Sequence, residues 1–303
     1  MGIKTKHIWM NGRFVNWDIA KVHIMTHSLH YGSAVFEGIH SYKTSNGTAV
    51  FRLDAHIERL FMSAGAMGMK LKFSKNQLKN AIKNLIRKNG LSDAYIRPIA
   101  YYGYGSIGVY PKNVNVNIAI ITIPWKHYYP GSLRIMTSRF IRHSERETVY
   151  GTKISGNYAN SILAMHEARK KGFDEALMLD PYGYVSEGPS ENIFIVKNGN
   201  LITPNSRSAL PGITVKSILE ISKYMGLNAY EKKVTLKEIR NADELFFCGT
   251  ATEIAPIKSV DGRKIGSGRA GEITLKIRSR YNDIVRGRDR KYIKWLSFVS
   301  KAH

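Results

Sequence analysis

The sequence predicts an α+β fold in two domains, on three observations. Strand-sized apolar runs and amphipathic helices are mixed without strict β-α-β alternation. The 303 residues exceed the roughly 100 to 200 usual for one domain. A stretch with Pro130-Gly131 in it, residues 127–132, interrupts the pattern near the middle. The expected division is a small N-terminal domain over 1–126, an interdomain linker over 127–132 and a larger domain over 133–303.

In the first domain short strand-like runs accompany two helices. Asp54 is placed to cap a helix whose Ile57, Leu60, Phe61 and Ala64 fall on one face. Ser74 and Gln77 form a capping box ahead of Leu78, Ile82, Leu85 and Ile86, and Gly90 closes that helix. Strands are expected over 94–104 and 114–124. Beyond the linker come a strand over 133–137 and a helix over 157–171 ended by Gly172. A meander of strands over 175–179, 184–186 and 192–196 follows, and Asn198-Gly199 supplies a two-residue hairpin turn before Leu201-Ile202. Helices near 213–225 and 269–285 flank a strand over 244–248.

Apolar residues at 43% and charged residues at 23% are the proportions of a folded globular chain. The formal charge of +23 invites a nucleic-acid reading, but Lys and Arg are scattered through every segment. The densest basic stretch, 278–294, is interrupted by Asp283 and Asp289, and no zinc-finger, basic-zipper or RNA-binding signature is present. The charge therefore reads as a plain basic surface, with no nucleic-acid partner and no metal expected. Apolar runs such as 118–123 fall far short of the about 20 residues of a bilayer-spanning helix. Lys4 and Lys6 are followed by no apolar stretch, so neither a membrane nor a signal peptide is expected, and a cytoplasmic location follows. The single cysteine, Cys248, excludes an internal disulfide framework and reads as a small apolar strand residue.

Four local features bear on chemistry. Lys153 lies in a glycine-flanked stretch, Gly151 to Tyr158, just before a helix, although an isolated lysine is usually a solvated surface charge. Pro211-Gly212-Ile213-Thr214 opens a helix with free N–H groups and a hydroxyl; these suit a phosphate, and ordinary capping explains them as well. Gly249-Thr250-Ala251-Thr252 follows a strand with small residues whose N–H groups suit an anion or simply make a turn. Tyr95 and Arg97 alternate on a strand and leave the same face, as a carboxylate site or a surface ladder would have it.

Six ordered motifs add a family resemblance. Tyr31 to Ile39 (YGSAVFEGI), Ala94 to Pro98 (AYIRP), Gly156-Asn157-Tyr158, Ser186-Glu187-Gly188 to Glu191-Asn192, Leu210 to Thr214 (LPGIT) and Gly249 to Ile254 (GTATEI) closely resemble the branched-chain amino acid aminotransferases. They occur in that family's order and spacing, and the resemblance extends over about residues 8 to 290. The resemblance implies the fold type IV architecture of pyridoxal-phosphate enzymes, with a small N-terminal α/β domain, a larger mixed α/β domain and a cofactor cleft between them. It implies Lys153 as the catalytic lysine bonded to pyridoxal 5′-phosphate. Arg59, Leu210, Ile213, Thr214 and Thr250 would hold the cofactor, largely at its phosphate. Glu187 would pair with the pyridine nitrogen and Tyr158 with the ring oxygen.

For the substrate, the resemblance assigns the α-carboxylate to Tyr95 and to the amides of Thr250 and Ala251. Phe36, Gly38, Trp125 and Tyr128 would border an apolar pocket, and Arg97 would take the distal carboxylate of glutamate. Tyr31 and Val109 would reach in from a second subunit, so a homodimer is implied. The implied reaction moves the amino group of leucine, isoleucine or valine to 2-oxoglutarate by a ping-pong route. A D-amino acid aminotransferase and an aminodeoxychorismate lyase share the lysine and the pyridine glutamate; the motifs at Tyr95 and Gly249 favour the branched-chain type. Two positions depart from the family: His40 stands where arginine is common, and Ser190 where glycine is. Neither touches the lysine or its pyridine partner.

Overall fold

The computed structural model describes residues 4–125 and 131–299. The chain divides into two compact units, Met1–Lys126 with Thr152–Gly156 and Asp283–His303, and His127–Gly151 with Asn157–Asn282.

The first unit opens with the hairpin β1 (His7–Met10) and β2 (Arg13–Asn16), then the short helix α1 (His27–Tyr31). Strands β3 (Val35–Phe36), β4 (Ile39–Thr44) and β5 (Gly47–Phe51) precede helices α2 (Leu53–Ala66) and α3 (Lys75–Lys88). The long strands β6 (Ala94–Tyr102) and β7 (Val116–Pro124) complete it, in the sheet order β5-β4-β6-β7-β1-β2 with β3 on β6. Apolar residues at helical spacing bring α2 and α3 onto this sheet: Ile57, Leu60, Leu78, Ile82 and Leu85 bury against Ile39, Ile96 and Ile120.

The capping box at Ser74 and Gln77 forms as expected. Asp54 does not cap α2. The cap position is Arg52, in a left-handed conformation (φ 52°), with its guanidinium 3.4 Å from the centre of the Trp295 ring. Asp54 sits in the first turn, where the helix dipole still favours it, and accepts from Lys79. Strand β6 ends, and β7 begins, two residues inside the expected bounds; just past β6 the carbonyl of Gly103 turns to accept from the N–H of His27 at the start of α1.

The second unit contains β8 (Leu133–Thr137), α4 (Tyr158–Lys170), β9 (Glu175–Leu179), β10 (Val185–Glu187), β11 (Asn192–Lys197) and β12 (Asn200–Pro204). It continues with α5 (Ile213–Tyr224), β13 (Ala229–Lys232), α6 (Leu236–Arg240), β14 (Glu244–Gly249), β15 (Glu253–Val260), β16 (Arg263–Lys264) and α7 (Glu272–Val285). Its sheet order is β10-β9-β8-β15-β14-β11-β12-β13, with β16 on β15. Parallel pairs (β8 with β9 and β15, β12 with β13) sit beside antiparallel hairpins, which makes the unit α+β. Asn198 and Gly199 both adopt positive φ, the geometry of the expected two-residue turn.

After α7 the chain rejoins the first unit: β17 (Leu296–Phe298) pairs with β5 and becomes the outer strand of that sheet. The expected division placed this stretch and 152–156 in the larger domain. Both cluster instead with the first unit, because β5 and the residues before β3 offer unpaired backbone edges that local sequence does not reveal. Among the described residues no helix is long and apolar enough to cross a membrane.

Candidate active site

In the first unit, Lys153 is tied at both backbone groups. Its N–H donates to the buried Ser63 Oγ on α2 (3.0 Å), and its carbonyl accepts from the N–H of Phe36 (3.1 Å). Ser155 N–H bonds to the carbonyl of Ala34, and Gly156 N–H to that of Gly32. Residues 152–156 thus run along residues 32–36 like an added strand, and the flexible glycine-flanked stretch becomes a fixed mount. The Lys153 ammonium lies 5.1 Å from the centre of the Phe36 ring.

Gly32 makes that pairing possible. Its φ is +60°, and a Cβ there would stand 2.7 Å from Gly156 Cα. Gly32→Ala is therefore expected to cost at least about 1–2 kcal/mol for the left-handed backbone alone, read by urea unfolding. An unchanged midpoint would mean that the close approach is absent in solution.

Beneath Lys153 lies a buried charged triad. Arg59 donates through Nε and Nη2 (2.9 Å) to the Glu37 carboxylate, which also accepts from His56 Nδ1 (2.7 Å). A carboxylate only accepts, so the proton of His56 sits on Nδ1. Burial by itself would raise the Glu37 carboxyl, but the Arg59 charge and the hydrogen bonds from Arg59 and His56 outweigh it and hold the group at about 2. Burial pushes His56 down, Glu37 opposes this, and the charges of Arg59 and Lys153 add to the lowering, so the imidazole is neutral. Helical periodicity places Arg59 off the apolar face of α2, yet its side chain is only 10% exposed because it folds back onto Glu37.

Tyr95 and Arg97 do leave one face of β6, and Arg97 Nη2 donates to the Tyr95 hydroxyl (2.6 Å). The guanidinium lies 4.6 Å from the Phe36 ring centre and 5.1 Å from that of Tyr95. Its Nε is buried and has no hydrogen-bond partner among the described residues. Gly38 lets Tyr95 pack across it, since a Cβ there would stand 2.4 Å from the hydroxyl. Trp125 stacks at a tilt on Tyr95, 4.9 Å between ring centres, and His40 packs between Tyr42 and Trp125. Tyr128 lies outside the described residues. Tyr31 is exposed and donates to the carbonyl of Ile107, while the buried His27 ring bonds to the carbonyls of Gly108 and Val109.

The second unit holds the other expected residues. Glu187, at the end of β10, is 4% exposed. One carboxylate oxygen accepts from Asn192 Nδ2 and from the N–H of Leu210, both at 3.0 Å. Asn192 also caps the carbonyl of Leu210, and a Cβ on Gly212 would stand 2.1 Å from Asn192 Oδ1. Helix α5 therefore starts close against Asn192, with no side-chain cap on its first N–H groups and with Thr214 buried beside Ile213. Thr250 and Ala251 form the turn joining β14 to β15. Glu191 braces that turn, accepting from Thr252 Oγ1 (3.1 Å) and from Ser190 Oγ (2.6 Å). The exposed serine at 190 thus adds one hydrogen bond to the buried Glu191. Tyr158 opens α4, directly after the 3-10 turn Ser155–Asn157.

A family model described as amino-transferase class IV matches residues 34–260 of this chain. The chain belongs to the class IV aminotransferases. A branched-chain-amino-acid aminotransferase of Pseudomonas aeruginosa is 43% identical over 297 residues, 96% of this chain and 97% of that protein. One of Escherichia coli is 39% identical over 305 residues, 98% and 99% of the two chains. Among solved structures, the T.th. branched-chain amino acid aminotransferase complexed with N-(5′-phosphopyridoxyl)-L-glutamate has a TM-score of 0.96 at 40% identity. That match covers 99% of this chain and 100% of the other. The expected fold type IV architecture is borne out by these likenesses, and the class IV aminotransferase is of the branched-chain type.

Sequence reading of this aminotransferase missed Glu37, His56, Ser63, Arg142, Glu191 and Asn192. Glu37, Glu191 and Asn192 were visible as members of the motifs, yet each also bonds to a residue well outside its own motif: Arg59, Thr252 and Leu210. Motif spacing carries no signal for such pairs. The groups present fit pyridoxal phosphate: a fixed lysine, an uncapped helix start with a buried hydroxyl, and a buried, aligned carboxylate.

Proposed function

We propose that this aminotransferase moves the amino group of leucine, isoleucine or valine to 2-oxoglutarate, with pyridoxal 5′-phosphate held covalently by Lys153. Bound there, the cofactor supplies an electron sink for the negative charge that develops at the substrate Cα. The observation that carries the reading is the mounting of Lys153, whose backbone is fixed at both ends while the residue as a whole is only partly buried. Once free, the Lys153 amine would be the base that takes the proton from the substrate Cα and delivers it to the carbon that receives the amino group. Glu187 presents an aligned anion that keeps a proton on the pyridine nitrogen. Arg59, oriented by Glu37, and the start of α5 at Ile213 and Thr214 take the phosphate, with Thr250. Tyr158 donates to the ring oxygen.

Tyr95 and the amides of Thr250 and Ala251 hold the substrate α-carboxylate. Phe36, Gly38, Trp125 and Tyr128 border the side-chain pocket, and Arg97 gives it two uses. Its cation rests on aromatic rings that also suit an apolar side chain, and its unused Nε–H awaits a distal carboxylate. Arg97→Ala is expected to lower kcat/KM about 10- to 100-fold for glutamate, with a much smaller loss for leucine. Equal losses for the two substrates would refute the assignment. The absorption spectrum of the purified protein before and after L-leucine tests the whole reading. The cofactor band should shift with L-leucine and not with D-alanine; no visible band, or a response to D-alanine alone, overturns it.

A homodimer fits the surface of the first unit. Leu29, Tyr31, Ile107, Val109 and Tyr110 are exposed, and a cavity of about 320 Å³ lined largely by apolar side chains opens nearby at Val22 and Leu29. Tyr31 and His27 hold the loop that carries Val109, as a residue lent to a second subunit requires. Light scattering should give twice the 34.2 kDa chain mass or a higher even multiple; a monomer at micromolar concentration rules this out. A cytoplasmic setting fits Cys248, whose thiol is buried, pushed up by burial and unavailable for a disulfide.

A further inference from the structure

Arg142 belongs to none of the motifs, yet it sits on the far side of Glu187. Its backbone N–H bonds to the carbonyl of Leu179 (2.8 Å) at the end of β9, which fixes the start of the side chain. The Arg142 side chain is 11% exposed. Nη1 donates to Ser161 Oγ on α4 (2.8 Å), and Nη2 stands 2.7 Å from Glu187 Oε1. The other carboxylate oxygen, Oε2, takes the neutral donors Asn192 and Leu210. Glu187 is thus held at both oxygens, and the one full positive charge among these donors comes from Arg142.

We propose that Arg142 is a positioning residue for the cofactor's pyridine nitrogen, acting through Glu187 to keep their shared proton on the ring. The proposal rests on the pairing of Glu187 with that nitrogen. The proton between them has two places. On Glu187 it would lie beside a guanidinium and meet repulsion; on the nitrogen it would leave behind a carboxylate that the guanidinium stabilises. Moving the proton from oxygen to nitrogen therefore carries positive charge away from Arg142. Burial strengthens the effect, because little water screens it. Asn192 and the amide of Leu210 orient the carboxylate and add no net charge, so they cannot replace the guanidinium.

The test is the nitrogen-15 chemical shift of the ring nitrogen in holoenzyme reconstituted with labelled pyridoxal phosphate. It compares the wild type with R142M, R142Q, R142K and E187Q, each first checked for native circular dichroism. The neutral variants R142M and R142Q should move the signal towards that of an unprotonated ring, in the same direction as E187Q, while R142K stays near the wild-type position. Their kcat should fall about 10- to 100-fold, as loss of an outer-shell partner does, with KM for L-leucine changed far less. If E187Q moves the signal and neither neutral variant does, Arg142 plays no part and the Glu187 pairing survives. If R142K moves it as far as R142M, the guanidinium acts by shape and the electrostatic claim fails. If E187Q leaves the signal unmoved, the pairing itself is wrong and the inference falls with it.

Discussion

Lys153→Ala is expected to lower kcat for L-leucine by about 10⁴-fold and to leave the unfolding midpoint nearly unchanged. The two halves of that result have separate causes. Activity would be lost because, on the proposed function, the amine is both the covalent anchor and the base beside the Cα proton. Stability is kept because the segment is held by main-chain bonds to Ser63, Phe36, Ala34 and Gly32, none of which uses the lysine side chain. Removing the ammonium also relieves the charge that helps to lower His56. Borohydride reduction of the wild type followed by mass analysis should place the adduct on Lys153. An adduct on another lysine, or a variant that retains more than about a hundredth of the activity, would end the assignment.

The second large effect is one of stability. Glu37→Gln removes the only anion of a buried triad and takes from Arg59 the carboxylate it is paired with, a change expected to cost about 3–5 kcal/mol in the cofactor-free protein. Urea unfolding at neutral pH reads it directly, and a loss under about 1 kcal/mol would show the pair to be solvated. The pH dependence should carry the same signature. The folded carboxyl titrates at about 2 and the unfolded one near 4.5. Its contribution is therefore complete above pH 4.5 and fades as the pH falls towards 2, worth about 3 kcal/mol in total. His56 pushes the same way: its folded value lies below 6.5, so the unfolded chain gains a proton first and stability declines on acidification below that point. In Glu37→Gln the drop between pH 4.5 and 2 should flatten, which separates this triad from the protein's other carboxylates.

These two effects differ in how far the sequence foretold them. Lys153 was legible only through six ordered motifs, since one lysine among 46 basic residues carries no local mark. The triad was not legible at all. Glu37 was read as part of a motif and Arg59 as a phosphate ligand, while their ion pair joins the end of β3 to the middle of α2, 22 positions apart. His40 is similar: the sequence shows a departure from arginine, and only packing shows an imidazole between Tyr42 and Trp125.

Short-range rules did well wherever the partners are neighbours in the chain. The capping box of α3, the turn at Asn198-Gly199, the strand Leu133–Thr137 and the shared face of Tyr95 and Arg97 each depend on spacings of two to five residues. They failed where a distant group competes. Arg52 took the start of α2 from Asp54 because Trp295, brought back by the last strand, stacks on its guanidinium.

The sequence by itself determined the family, the mixed α+β class and the core faces of the main helices. Those follow from periodicity and ordered motifs, which are properties of the chain read in one dimension. Tertiary structure alone decided that residues 152–156 line up along residues 32–36, that the last strand closes the first sheet, and that Glu37 and Arg142 stand behind Arg59 and Glu187. The reason is that a buried charge must find its counter-charge wherever the fold brings one within hydrogen-bond reach, and separation along the chain places no limit on that choice.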